Sequence, residues 1–310
     1  MQREGTLKTR LHAHADGRRV AGGYSAKMNG GRGRAIWIFT VAYRLACRAK
    51  LSKLSWFQKS FLSAYFFYKR RYDDPFWNLV RTNGALFQYG DILDIGANVG
   101  YTSSVFAGAL SAGSNVYAFE PDADSYALLK SVIRRRNLSA TVVALNCAVG
   151  ASEGFLEFWH NEKHSADHRI VTPKFKQVRG DAATSQVAAT SVDAFVAARR
   201  LQNISFIKID VQGYELAVCE GMKDTLQRFP ELCVCFEYSP GVLAELGFEP
   251  RDVLEFFWKR GYWLHILTRA GVELVTEAAL LQQIADKAGY VDILCSRKAL
   301  AVRNSHGASR

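Results

Sequence analysis

From residue 91 onward the apolar positions follow two alternating rhythms. The runs Asp91-Ile92-Leu93-Asp94-Ile95, Asn115-Val116-Tyr117-Ala118-Phe119, Thr141 to Leu145, Ile204 to Ile209 and Leu232 to Phe236 have the length and content of buried strands. Between them the spacing changes to the helical period. Tyr101, Val105, Ala109 and Leu110 share one face of a helix stopped near Gly113. Leu128, Leu129, Val132 and Ile133 form the stripe of a second, opened by Pro121-Asp122. Arg134-Arg135-Arg136 falls at that helix's C-terminus, where cations complement the dipole and Asn137 closes the turn, so the triplet is a helix ending. Such alternation demands an α/β fold: a parallel sheet with right-handed crossovers and helices on both faces. The tail departs from it. After a helix around Arg251–Arg260, the runs Tyr262–Leu267 and Tyr290–Leu294 flank a helical stretch, Ala278–Lys287, and add a sixth and a seventh strand. A closing pair of this kind is unlike the second half of a symmetric dinucleotide-binding fold.

The first 90 residues have another texture. Residues 1–34 interleave seven glycines with Arg and Lys without apolar periodicity, which predicts a disordered basic arm. Residues 35–90 form a basic, aromatic-rich helical extension, with Ile36-Trp37-Ile38-Phe39, Trp56-Phe57 and Tyr65-Phe66-Phe67-Tyr68 among Lys and Arg. A charge-free run such as Ala35 to Tyr43 is far below the ~18 residues that a bilayer span needs. The extension therefore caps the α/β domain or, as the alternative, lies on a membrane surface as a peripheral contact. The domain proper is placed at 91–298, with a flexible tail at 299–310.

Charge and cysteine content narrow the class. With 310 residues, 49% hydrophobic and 22% charged, the chain builds a core without disulfide staples and is neither disordered throughout nor a polytopic membrane protein. The net charge of +11 is lopsided: residues 1–72 carry 16 Lys/Arg against two acids, and the remainder 24 against 27. A slightly acidic body makes nucleic acid an unexpected partner. Six cysteines include no CxxC pair and read as core residues of a reducing compartment, and no secretory signal is apparent. Cytoplasm is the expected location, with membrane association through the basic region as a variant.

In an open parallel sheet a ligand sits beyond the carboxyl ends of the strands, beside strand one. The turn Asp94-Ile95-Gly96-Ala97-Asn98-Val99-Gly100 is thus the candidate cofactor loop. Gly96 permits a tight turn and Gly100 close helix packing. Strand two ends in Glu120, placed to accept both hydroxyls of a ribose. A dinucleotide fingerprint needs a second glycine at position 98. Asn98 stands there instead and suits S-adenosylmethionine, which lacks a pyrophosphate. Asp94 holds that ligand's ammonium or, in the other reading, caps the turn.

The stretches DILDIGANVGYTS, Phe119-Glu120-Pro121, the NCAVG at Asn146–Gly150 and FIKIDVQGYE at Phe206–Glu215 resemble the FkbM family of S-adenosylmethionine-dependent methyltransferases, over roughly residues 90–260. The resemblance implies a class I methyltransferase domain, a Rossmann-like, seven-stranded, mostly parallel sheet that methylates a hydroxyl on a sugar, glycan or other small metabolite. It implies that Asp94, Gly96, Asn98 and Gly100 line the cofactor, that Glu120 holds its ribose, and that Asn146, Cys147 and Ala148 flank its adenine. The chain departs from the family at Gln212, where Glu is more frequent, and in its first 90 residues.

Methyl transfer to oxygen requires in-line approach, a destination for the hydroxyl proton and exclusion of water. Asp210, at the end of strand four, is the candidate base, with Glu215 and Glu237 as second choices. Alternatively these carboxylates hold Mg²⁺. Lys208, in an otherwise apolar strand, is expected to meet Asp210 or another acid. His160, His164 and His168 recur every four residues, but Asn161, Ser165, Asp167 and Pro173 make their segment a loop rather than a helix carrying a metal. The preceding Gly154–Trp159 reads as a strand leading over the sheet's carboxyl edge, so His164 is kept as a residue on the acceptor side. Two other classes remain at this point: an NAD(P)-dependent oxidoreductase, and a non-catalytic scaffold tethered to membrane or nucleic acid.

Overall fold

The computed structural model describes residues 55–161, 168–180, 183–275, 289–298 and 300. The predicted arm at 1–34, residues 35–54 of the extension, His164, the helix at 278–287 and most of the tail lie outside them. Two units divide the chain, Met1–Tyr72 and Asp73–Arg310. In the first, helix α1 (Ser55–Tyr68) carries aromatics around much of its circumference. Leu62 and Phe66, one turn apart, are buried, whereas Phe67 stands 67% exposed.

The second unit begins with a capped helix. Asp74 accepts the Phe76 and Trp77 N–H groups, each at 2.9 Å, and so opens α2 (Phe76–Thr82). A 3₁₀ turn, Gly84–Phe87, leads into β1 (Asp91–Ile95). Next come α3 (Tyr101–Ala107), β2 (Val116–Phe119), α4 (Ala123–Arg135) and β3 (Val142–Leu145). α3 ends earlier than its apolar spacing predicts, because Gly108 turns back to Val105 O and Ala109 continues as a turn. α4 runs as predicted, capped by Asp122 and closed by Asn137 at φ 57°.

The chain then builds an element that the sequence analysis does not anticipate beyond one strand. β4 (Ala148–Val149), β5 (Gly154–Trp159), β6 (Arg169–Ile170), α5 (Pro173–Arg179) and β7 (Thr184–Thr190) give a second, four-stranded sheet in the order β4-β7-β5-β6. Its small core joins Ala148, Phe158 and Ile170 to Tyr214. The alternation of α and β resumes with α6 (Val192–Arg199), β8 (Ile204–Ile209), α7 (Glu215–Glu220), α8 (Lys223–Arg228), β9 (Cys233–Tyr238), α9 (Pro240–Leu246) and α10 (Pro250–Trp258). β10 (Trp263–Thr268), β11 (Gly271–Leu274) and β12 (Val291–Ser296) close the main sheet.

The main sheet has eight strands in the order β11-β10-β12-β9-β8-β1-β2-β3. β9, β8, β1, β2 and β3 are mutually parallel, and β12, β10 and β11 add antiparallel. The seven expected strands take the expected places, and the eighth, β11, is the outer arm of a tight hairpin with β10. Strand order reverses between β1 and β8, so a crevice opens at their carboxyl ends. One face packs α6, α7, α8, α9 and α10 over Leu93, Ile95, Ile207, Ile209, Val234 and Phe236. On the other, Phe206 meets Phe87 and Phe106 with ring centroids 4.7 and 5.5 Å apart. Phe206 is fully buried, and such a side chain contributes about 1.5–3 kcal/mol. Two interleaved sets of side chains thus fix the sheet and the crevice above it.

Candidate active site

The loop after β1 is held open by backbone geometry. Gly96, Asn98 and Gly100 have φ values of 79°, 48° and 81°, three left-handed residues in five. Gly96 is obligatory: a Cβ there would lie 1.8 Å from Asp210 O, because the loop crosses directly against the end of β8. Asp210 N donates to Ile95 O at 3.0 Å and locks the two strand ends together. Asn98 accepts the left-handed position that Gly would occupy in a dinucleotide loop.

Glu120 ends β2 beside that loop. Its Oε2 accepts the Asn98 N–H at 2.7 Å and its Oε1 the Asp122 N–H at 2.9 Å. Burial pushes the carboxyl up to about 7 despite these bonds. Each carboxylate oxygen retains one lone pair, so the group fits a pair of vicinal ribose hydroxyls as donors. Asn146 donates through Nδ2 to Glu120 O at 2.9 Å and Pro121 O at 3.0 Å, so it shapes the backbone that carries Glu120. Cys147 is half-buried, its thiol pushed up to about 11 by burial, and Ala148 is buried in β4. Residues 94, 96, 98, 100, 120 and 146 are thereby brought to one end of the sheet.

Asp94 differs from the rest in being fully buried. Ser103 Oγ donates to its Oδ2 at 2.5 Å, and Lys208, its partner across the β1–β8 register, lies 3.6 Å from Oδ1. Its carboxyl is raised chiefly by burial, an effect that Lys208 and Ser103 oppose. At 0% exposure the side chain faces Lys208 and α3 rather than the crevice. Lys208 meets the expected acid: its Nζ lies 3.3 Å from Asp210 Oδ2 and donates to Gly96 O at 2.9 Å. Burial alone would lower its pKa, but Asp210 and Asp94 outweigh that and raise it, keeping the ammonium charged. One buried cation therefore ties the cofactor loop, β1 and the candidate base into a unit.

Asp210 itself is one-third exposed (33%). Gln212, at φ 52°, donates from Nε2 to Asp210 Oδ1 at 2.8 Å and to Glu237 Oε1 at 3.2 Å. Glu237 is raised well above its ordinary value by burial and then by the charges of Asp210 and Asp292. Glu215 is buried; its Oε1 accepts the Val211 and Gly213 N–H groups at 3.2 and 3.1 Å, and burial pushes it up to about 7. Glu215 thus holds the turn that projects Gln212. These donors do not suit Mg²⁺: an ammonium and an amide N–H occupy the two oxygens of Asp210, and backbone N–H groups one oxygen of Glu215. Among the described residues no group of three His, Cys, Asp or Glu side chains is set to hold a metal.

The second sheet reaches this end of the molecule through Asp122. His160 Nδ1 lies 3.1 Å from Asp122 Oδ2, and its Nε2 lies 2.8 Å from Ser185 Oγ. His168 accepts the Asn161 N–H at Nδ1, 3.0 Å away, and sets Nε2 3.8 Å from Asp122 Oδ1. Burial would raise Asp122, but its bond from Ser125 and both imidazoles hold it below the usual carboxylate value. His160 and His168 therefore pair with the N-cap of α4. Sequence reasoning misses Asp122 in this role and also Asp74, which accepts the Tyr101 O–H at 2.9 Å and anchors the helix that follows the cofactor loop. Only an acid just ahead of a helix start could have signalled them.

Residues 94–264 match the sequence profile of the family described as "Methyltransferase FkbM domain". A curated relative, the hexuronic acid methyltransferase AglP of Haloferax volcanii, is 27% identical over 165 residues, which cover 53% of this chain and 59% of that protein. The chain thus spans less than two thirds of that relative. Among solved structures, the methyltransferase FkbM from Methylobacillus flagellatus aligns with a TM-score of 0.40 and 15% identity, covering 66% of this chain and 43% of that one. The O-methyltransferase from Bacillus cereus, solved with SAH, aligns with a TM-score of 0.35 and 15% identity over 72% and 79% of the two chains.

Proposed function

Because the chain belongs to the FkbM methyltransferase family, we propose that it moves the methyl group of S-adenosylmethionine to a hydroxyl oxygen of a sugar or glycan, with Asp210 as the base. The family match sets the oxidoreductase alternative aside. The acceptor class is supported by the relative named for hexuronic acid, so a uronic-acid-bearing glycan is the acceptor assigned first. The observation that carries the reading is the Asp210 carboxylate: partly exposed at the carboxyl end of β8, paired with Lys208, and in backbone contact with the Gly96 turn.

S-adenosylmethionine supplies a methyl already activated by its sulfonium. The chain's residues do the rest. Glu120 accepts the ribose hydroxyls, the left-handed turn at 96–100 lets backbone approach the ligand, and Asn146 fixes the segment beneath. Asp210 takes the hydroxyl proton at Oδ2 or Oδ1 as the oxygen attacks. Burial and the charges of Asp210 and Asp292 raise Glu237 well above its ordinary value and so disfavour the ionised form that a base must present, and Glu215 is turned into the protein. The base role therefore falls to Asp210.

Calorimetry with S-adenosylmethionine, followed by transfer of its labelled methyl to glucuronides, galacturonides and matching neutral hexosides, tests this directly. A methyl ether is expected, and its label survives mild alkali. No cofactor binding by folded protein, or label released as methanol from a methyl ester, overturns the reading. An ester would mean that the acceptor is a carboxylate needing no base.

A further inference from the structure

Resting on Asp210 as the base, we propose that Gln212 is a positioning residue: its single amide nitrogen, shared between Asp210 and Glu237, keeps the negative charge on Asp210 and the proton on Glu237. The geometry points to this division. Nε2 lies 2.8 Å from Asp210 Oδ1 and 3.2 Å from Glu237 Oε1, so its two hydrogens are both committed, the nearer to Asp210. An amide cannot ionise. It therefore donates at every pH, whereas a Glu at this position donates only when protonated.

The surroundings make the division necessary. Facing this pair are Glu215 from α7, Asp292 from β12 and Asp94 from β1, with Lys208 from β8 as the cation in contact. Among the described residues, carboxyls crowded this closely about Lys208 cannot all be ionised at low cost. Asp210 is one-third exposed, against 0% for Asp94 and 2% for Glu215, and it takes both the ammonium and the nearer amide hydrogen. Charge is cheapest there. Glu237, across the amide, is half-buried, stands opposite Asp292 in the β9–β12 register and is raised well above its ordinary value. A neutral Glu237 accepts the amide at Oε1 while its acid proton sits on Oε2.

The backbone is bent to achieve this. Gln212 occupies a left-handed conformation at φ 52°, which a non-glycine residue adopts at a cost. Glu215 and the following Gly213 hold it: Glu215 bonds the amides on both sides of Gln212, and a Cβ on Gly213 would lie 2.8 Å from Val242 Cγ1. Strain retained in a turn whose one polar side chain bridges two acids is the mark of a positioned group.

Carboxyl ¹³C NMR on the full chain without cofactor, labelled at Asp Cγ and Glu Cδ and assigned with Asp210→Asn and Glu237→Gln, reads the division site by site. In the parent protein Glu237 is expected to remain protonated at pH 7 while Asp210 is ionised. Gln212→Met fills the same volume without donors and should move the Asp210 midpoint up by about one to two pH units. Gln212→Glu keeps the shape, adds one titrating carboxyl and should also raise Asp210, so a Met variant that fails to fold leaves the question answerable. A midpoint for Asp210 unchanged in both variants, or an ionised Glu237 in the parent at pH 7, overturns the proposal. No cofactor enters the measurement, so its outcome is independent of whether the methyl donor binds.

Discussion

Replacing Lys208 by Met removes the one cation between Asp94 and Asp210 while filling most of its volume, and the consequence can be worked from the geometry. Asp94 is fully buried, and with Lys208 gone the Ser103 hydroxyl is, among the described residues, the one side chain still meeting its carboxylate. A charge stranded in this way neutralises instead of staying ionised. Starting from an ordinary value of 3.8, protonation at pH 7 costs at most about 4.4 kcal/mol, which agrees with the ~3–5 kcal/mol seen when one partner of a buried pair is removed. At pH 4.5 the same protonation costs only about 1 kcal/mol. Urea unfolding of Lys208→Met should therefore show a loss of about 3–4 kcal/mol at pH 7 that shrinks by about 2–3 kcal/mol at pH 4.5. Asp94→Asn should recover part of the deficit when combined with Lys208→Met, since an amide needs no counter-charge. Equal losses at the two pH values, or no coupling between the two substitutions, would refute an electrostatic role for Lys208 and leave it as packing.

Gly96→Ala should abolish cofactor binding in calorimetry and lower the unfolding midpoint, because the new methyl would meet Asp210 O in a left-handed turn; a variant that binds normally contradicts the described loop. Glu120→Ala should weaken S-adenosylmethionine binding about ten- to hundredfold, the worth of one or two hydrogen bonds to a charged group. Asp210→Asn should leave that affinity within about fivefold and cut turnover at least about a hundredfold, and equal turnover would remove the base assignment. Glu215 is raised from 4.5 to about 7 in the folded chain, so the native state binds the proton more tightly than the unfolded one. Its stabilising share is complete below about 4.5 and is lost as pH rises through about 7, and Glu215→Gln should flatten that fall in a denaturation series.

The alternation of apolar runs and helical stripes is written locally, and β1, β2, β3, β8 and β9 lie where their sequences place them. The same is true of Gly96, Glu120 and Lys208: a left-handed turn, an acid at a strand end and a lysine in an apolar strand each announce a constraint within a few residues. β4, β6 and β11 were not legible, because strands of two to four residues leave too short a pattern to show a period, and the seven residues of β7 are mostly small and polar and so carry no apolar alternation. Asp94 illustrates the limit inside a motif. Its position beside the loop is a sequence property, but which way its carboxylate faces depends on Ser103 and Lys208, nine and 114 residues away.

By itself, then, the chain's order of residues determines the strand and helix succession, the turn that a ligand approaches and the acids that crowd the strand ends. Only the folded arrangement decides how the carboxyls around Lys208 and Gln212 share their charge. Hydrophobic periodicity acts between neighbours in sequence, whereas the charge on a buried acid is set by every group within a few ångströms, and those groups arrive from β1, β8, α7, β9 and β12.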